Sequence, residues 1–144
     1  MNPADRHSEE VYVSLIDEGV DLFARGEYFD AQRKFFQAFW LRPYSPVALF
    51  NLGRTMEELK DPNALDFYEA AVTQGNVDAS YQLATLYSRN LDVNREAAIR
   101  HLNLYLKNSK AKDDCTEWAM KMLNQLKTPP PVLKLVWSKG KKVA

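Results

Sequence analysis

The chain has 144 residues, the size of one ordinary domain, and its 46% apolar and 26% charged residues are the mixture of a folded protein rather than a disordered one. Nineteen Lys and Arg balance nineteen Asp and Glu, so the net field that nucleic-acid binders use to hold phosphate is missing, and nucleic acid is set aside as a partner. A single cysteine, Cys115, excludes an internal disulfide; no apolar run approaches the ~18 residues of a membrane span, and the opening Met1 to Glu10 is acidic and polar where a secretory leader would be basic and then apolar, so no membrane association and a cytoplasmic location are expected.

Between five glycines and seven prolines, apolar residues recur at helical spacing and almost never alternate as in a strand, which predicts an all-α fold. After a flexible segment 1–8, Val13, Ile16, Val20 and Phe23 mark a first helix from Glu9 to about Arg25, closed where Gly26 can turn left-handed. A second runs from about Phe29 to Leu41 and stops before Pro43; Phe35, Phe36, Phe39 and Trp40 give it a wide apolar stripe, which predicts burial on more than one side. Ser45-Pro46 is a cap followed by proline in the first turn and starts a third helix ending near Leu59. Asp61-Pro62 suggests the same device for a fourth, ending near Gly75. Helices five and six are expected over Val77–Ser88 and Arg95–Lys107, separated by a longer loop through Leu91, Asp92 and Val93. A seventh, Asp113–Lys127, sets Trp118, Ala119, Met122, Leu123 and Leu126 on one face and is a candidate cap for the end of a stack.

A repeat underlies these elements. Ala31, Phe35 and Ala38 return 33 residues later as Ala64, Tyr68 and Ala71, and 34 beyond those as Ala98, Leu102 and Tyr105. Gly19, Gly53 and Ala84 follow a looser register in the first helices, where small residues let two helix axes approach. The units are 12–45, 46–76 and 77–108, with the cap at 113–127 completing a domain over 9–127.

These residues resemble the tetratricopeptide repeats. Unit one carries Gly19, Leu22, Gly26, Tyr28, Ala31, Phe35, Ala38 and Pro43, and unit two Leu52, Gly53, Met56, Ala64, Tyr68 and Ala71; unit three, with Asp78 to Tyr87 after Gln74-Gly75-Asn76, is similar to the Sel-type variant. Two departures stand out: Ala84 replaces the usual glycine, and the turn Lys60-Asp61-Pro62-Asn63 is one residue short. The resemblance implies a right-handed α-α superhelix of three helix-turn-helix repeats, with a concave groove that binds peptides or proteins. It also implies the groove residues: Ile16, Val20 and Phe23 from helix one, Phe50, Asn51, Arg54 and Glu57 from helix three, and Tyr81, Gln82, Thr85 and Arg89 from helix five. A clamp for chaperone C-termini is rejected: Asn51 fits it, but Ile16, Val20, Asp78 and Gln82 stand where cationic partners belong.

Catalytic residue types are scarce. His7 lies in the polar N-terminal stretch, and His101 reads most simply as a partly exposed helix residue. With Cys115 they do not make a zinc set, and no metal or other cofactor is expected. Asp113 and Asp114 oppose thiolate formation at Cys115. The glycines, scattered at 19, 26, 53, 75 and 140, form no phosphate-binding loop. An enzyme is therefore not expected.

Residues 128–144 form a tail in which Pro129-Pro130-Pro131 is a stiff spacer, followed by Val132 to Trp137 and a Lys-rich end. Residues 127–144 hold five Lys and no acid, whereas 1–30 hold eight acids against two Arg, so the tail is expected to dock through Leu133, Leu135 and Trp137 on its own repeats or on another copy. The function expected is that of a non-catalytic adaptor or scaffold binding a partner protein segment in the groove. The alternatives are a chaperone of a secreted or assembling partner, or a self-assembling subunit joined through its tail.

Overall fold

Seven helices and no strand make up residues 2–128, the part of the chain described by the computed structural model. They are α1 (Pro3–Ala24), α2 (Tyr28–Leu41), α3 (Pro46–Glu58), α4 (Ala64–Thr73), α5 (Val77–Ser88), α6 (Leu91–Asn108) and α7 (Asp114–Lys127). Side-chain caps start four of them. The oxygens of Asn2, Ser45, Asn76 and Asp113 accept the N–H of Ala4, Ala48, Ala79 and Thr116, which satisfies donors that the first turn leaves without partners. The Thr116 N–H also holds the Asp113 carboxyl below its ordinary range.

Three closing turns use left-handed backbone. Gly26 (φ 77°) ends α1 and Gly75 (φ 89°) ends α4, each followed by a residue whose N–H returns to the last helical turn. At the end of α3 the same geometry falls on Lys60 (φ 59°), with the Asp61 N–H donating to the Met56 carbonyl at 2.9 Å. The third turn therefore keeps the conformation without the glycine.

Several boundaries differ from those expected. Pro3–Ser8 form the first turns of α1 under the Asn2 cap instead of a separate flexible segment. Asp61-Pro62 does not start α4. Asp61 instead accepts the Asn63 N–H on its side chain and the Ala64 N–H on its carbonyl, a turn that delays the helix to Ala64. The loop expected through Leu91, Asp92 and Val93 is the first turn of α6; half-buried Leu91 packs against the core between α5, α6 and α7, and that contact extends the helix. Burial of α2 is also narrower than expected. Phe36 and Phe39 are half-buried, but Trp40 stands 75% exposed, because five residues from Phe35 turn it about 140° away from the core stripe.

Each helix packs chiefly on its neighbour in sequence, most closely within the pairs α1–α2, α3–α4 and α5–α6, and α7 lies against α6. The repeating set Ala31, Phe35, Ala38, Ala64, Tyr68, Ala71, Ala98, Leu102 and Tyr105 is buried throughout. Gly19 sits under the Phe35 ring and Gly53 under the Tyr68 ring so tightly that a Cβ would lie 2.5 Å and 2.7 Å from ring carbons. In the third pair both members change together: Ala84 carries the Cβ, and Leu102, which has no ring, shares its core cluster. Ala119, Leu123 and Leu126 of α7 close that cluster, with Trp118 and Met122 packed beside them.

Candidate functional site

The residues nominated for binding lie on α3 and α5, and the structure sorts them by what their polar atoms already do. On α3, the Arg54 guanidinium rests over the Phe23 ring of α1 at 4.5 Å and over Phe50 at 5.8 Å. It forms no ion pair among the described residues. One turn on, Glu57 accepts a hydrogen bond from the Tyr68 hydroxyl at 2.8 Å and lies 3.7 Å from Arg89, the residue that caps the C-terminus of α5. Burial, then this bond to a carboxylate, raises the Tyr68 phenol far above its ordinary range. Phe23, Arg54, Glu57, Glu58, Tyr68 and Gln82 surround a hollow of about 200 Å³. Phe50, whose ring lies 5.9 Å from that of Tyr68, flanks it. Phe50, Arg54, Glu57, Gln82 and Arg89 are thus brought together.

The other three nominated residues are largely employed within the fold. Asn51 donates its amide to the Val47 carbonyl at 2.9 Å, and Thr85 its hydroxyl to Tyr81 at 3.0 Å, each one turn back along its own helix. The Tyr81 ring lies 5.3 Å from that of Tyr105, tilted, and 5.3 Å from that of Trp118, edge to face, and burial raises its phenol. It belongs to the joint with α7. On α1, Ile16 is packed into the core, while Val20 remains exposed. Leu133, Leu135 and Trp137 lie outside the described residues.

Sequence reasoning did not find Glu58 or Tyr68 as parts of the hollow. A hydroxyl at the buried position that unit one fills with Phe35 was a signal, since a buried phenol needs a partner. It also missed a cluster between α4, α5 and α6. His101, expected to be partly exposed, is 2% exposed; its Nε2 lies 3.1 Å from Glu69 Oε1, which also accepts the Tyr87 hydroxyl at 3.0 Å. The Tyr87 and His101 rings stack at 5.7 Å, and burial followed by the carboxylate raises the Tyr87 phenol.

No protein-family model matches this sequence, and no curated protein does.

The lining of the hollow offers one guanidinium, two carboxylates, a carboxamide, a phenol and an aromatic face. The inner wall of the Glu69 cluster is closed, because His101 Nδ1 is buried without a hydrogen-bond partner and meets no solvent. Among the described residues no group of three or more His, Cys, Asp or Glu could hold a metal ion, and no helix is long and apolar enough to cross a membrane.

Proposed function

We propose that the chain is a non-catalytic protein-interaction module of tetratricopeptide type, whose three helix pairs stack as a right-handed superhelix and receive a partner segment along the face of α1, α3 and α5. The fold reading draws on the matched register of small and aromatic residues in the helix pairs and on packing between sequence neighbours. The function rests on one observation: Arg54 is held in place over two aromatic rings and pairs with no carboxylate among the described residues. A guanidinium already oriented loses less side-chain freedom on binding, and its fork suits a carboxylate or a row of carbonyl oxygens. Phe50, Glu57, Gln82 and Arg89 supply the surrounding contacts.

Panning a displayed random-peptide library on the full chain tests this reading. A recurring motif whose binding falls at least tenfold with Arg54→Ala is the expected result. Absence of any motif, or a motif indifferent to Arg54→Ala and Phe50→Ala, overturns it. A broad collection of apolar peptides without a motif would replace the adaptor with a chaperone.

A further inference from the structure

An apolar recess lies elsewhere, between α2 and α4. It measures about 580 Å³, within the roughly 300–1,000 Å³ of ordinary ligand sites, and is lined by Phe39, Pro43 and Leu49 on one side and Phe67 and Ala70 on the other. Asp66 is the one charged residue in its lining. Tyr44 in its lining is 76% exposed, and Trp40, whose ring lies 5.9 Å from that of the lining Phe39, is 75% exposed, so exposed aromatic surface of the kind that normally has an occupant adjoins the recess.

We propose that the occupant is this chain's own segment Val132–Trp137, bound in cis. Three observations converge on it. Composition matches, since five of those six residues are apolar and the sixth, Lys134, complements Asp66. The larger charge balance agrees, because residues 127–144 carry five Lys and no acid. Reach is sufficient. The last turn of α7 is tied to the start of α6, where Arg95 donates to the Leu126 carbonyl, and α6 faces α4 through His101 and Glu69. Crossing α6 and α4 at ordinary helix spacing takes about 20 Å, a distance that an extended chain leaving Thr128 covers at about Lys134 and exceeds by Trp137, at about 30 Å, so the second half of the segment is the part that enters the recess. The hollow around Arg54 fits the segment less well, being smaller and lined mainly by polar groups.

Docking is read in the full chain by paramagnetic broadening. With Cys115→Ser to remove the native thiol, a nitroxide is placed at Thr73→Cys on the rim of the recess or, for comparison, at Ser14→Cys on the acidic face of α1. The expected result is selective broadening of the amide resonances of residues 132–137 by the label at position 73, beyond that at 139–144, and its loss when Ala70→Arg fills the recess. Circular dichroism checks that each variant keeps its helical content. Stronger broadening from position 14 overturns the proposal in favour of the acidic face. Broadening seen only between separately labelled molecules overturns it in favour of a second copy. Uniform or absent broadening shows that the segment does not dock.

Discussion

Gly53→Ala tests whether the repeat works through the space between helix axes. A Cβ at residue 53 would lie 2.7 Å from Tyr68 Cδ1, which is 0.7 Å short of an ordinary 3.4 Å contact. The ring has no easy retreat, because Tyr68 is fully buried and its hydroxyl is fixed on Glu57. Overpacking a core of this kind costs about 1–3 kcal/mol, while replacing glycine by alanine in a helix gains about 1 kcal/mol. With a boxed-in ring the upper part of the cost applies, and a net loss of about 1–2 kcal/mol is expected. The third helix pair then predicts a reversal. In a Tyr68→Leu background, which recreates the Ala84 and Leu102 arrangement, Gly53→Ala should stabilise by about 1 kcal/mol. The coupling between positions 53 and 68 would then be about 2–3 kcal/mol, as expected of neighbours that share one space. Thermal and urea unfolding of the four proteins, followed by far-ultraviolet circular dichroism, measures it, at about 3 °C of melting temperature per kcal/mol. Equal effects of Gly53→Ala in the two backgrounds would refute the reasoning.

Lys60 holds a left-handed conformation that disfavours residues with a Cβ, and its side chain is exposed. Lys60→Gly should therefore raise stability by about 1 kcal/mol in urea unfolding, and a loss would mean that the lysine makes a compensating contact. Tyr68→Phe should cost about 1 kcal/mol near neutrality through the lost hydrogen bond to Glu57. Its pH profile should differ too. The folded state raises the Tyr68 phenol, so this contribution is complete below the ordinary phenol range of about 10 and is lost as pH rises toward the folded value. The variant should show a shallower alkaline decline in unfolding free energy, and identical slopes would argue against a buried, hydrogen-bonded phenol. At His101, an unpaired buried nitrogen offsets much of what the ring contributes, so His101→Leu should fall within about 1 kcal/mol of the parent, whereas His101→Ala should lose about 2–4 kcal/mol by leaving a cavity.

What could be read from the sequence was whatever rests on short-range rules. Ser45-Pro46, Gly26 and Gly75 each act within one turn of backbone, and the Ala31, Phe35 and Ala38 register returns wherever an α-helix buries one stripe. The errors occurred where a distant contact decided the outcome. Leu91 looked like loop because its spacing broke the period, yet its contact with the core of the last two pairs brings it into α6. His101 looked like a surface residue because nothing within four residues marks Glu69 or Tyr87 as its neighbours; they come from two other helices. Trp40 failed for the opposite reason. Aromatic character suggested burial, while its angular position on the helix placed it outside the stripe.

The candidate site was legible only in part, and the division follows from which atoms the repeat consumes. Asn51 and Thr85 occupy plausible groove positions, but each closes a hydrogen bond to the carbonyl one turn back, an option open to short polar side chains on any helix. Arg54 is too long for that and finds two rings instead, which orient the guanidinium without satisfying it as a donor. Tyr81 stands where the resemblance places a groove residue, and its aromatic surface is the part that α7 covers with Trp118. Each surface proposed for binding therefore includes groups that the described fold leaves exposed or without a polar partner. Arg54 and Gln82 border the polar hollow, while Trp40 and Tyr44 stand beside the apolar recess. Their different chemistry is the reason for assigning a partner segment to the first and the chain's own apolar segment to the second.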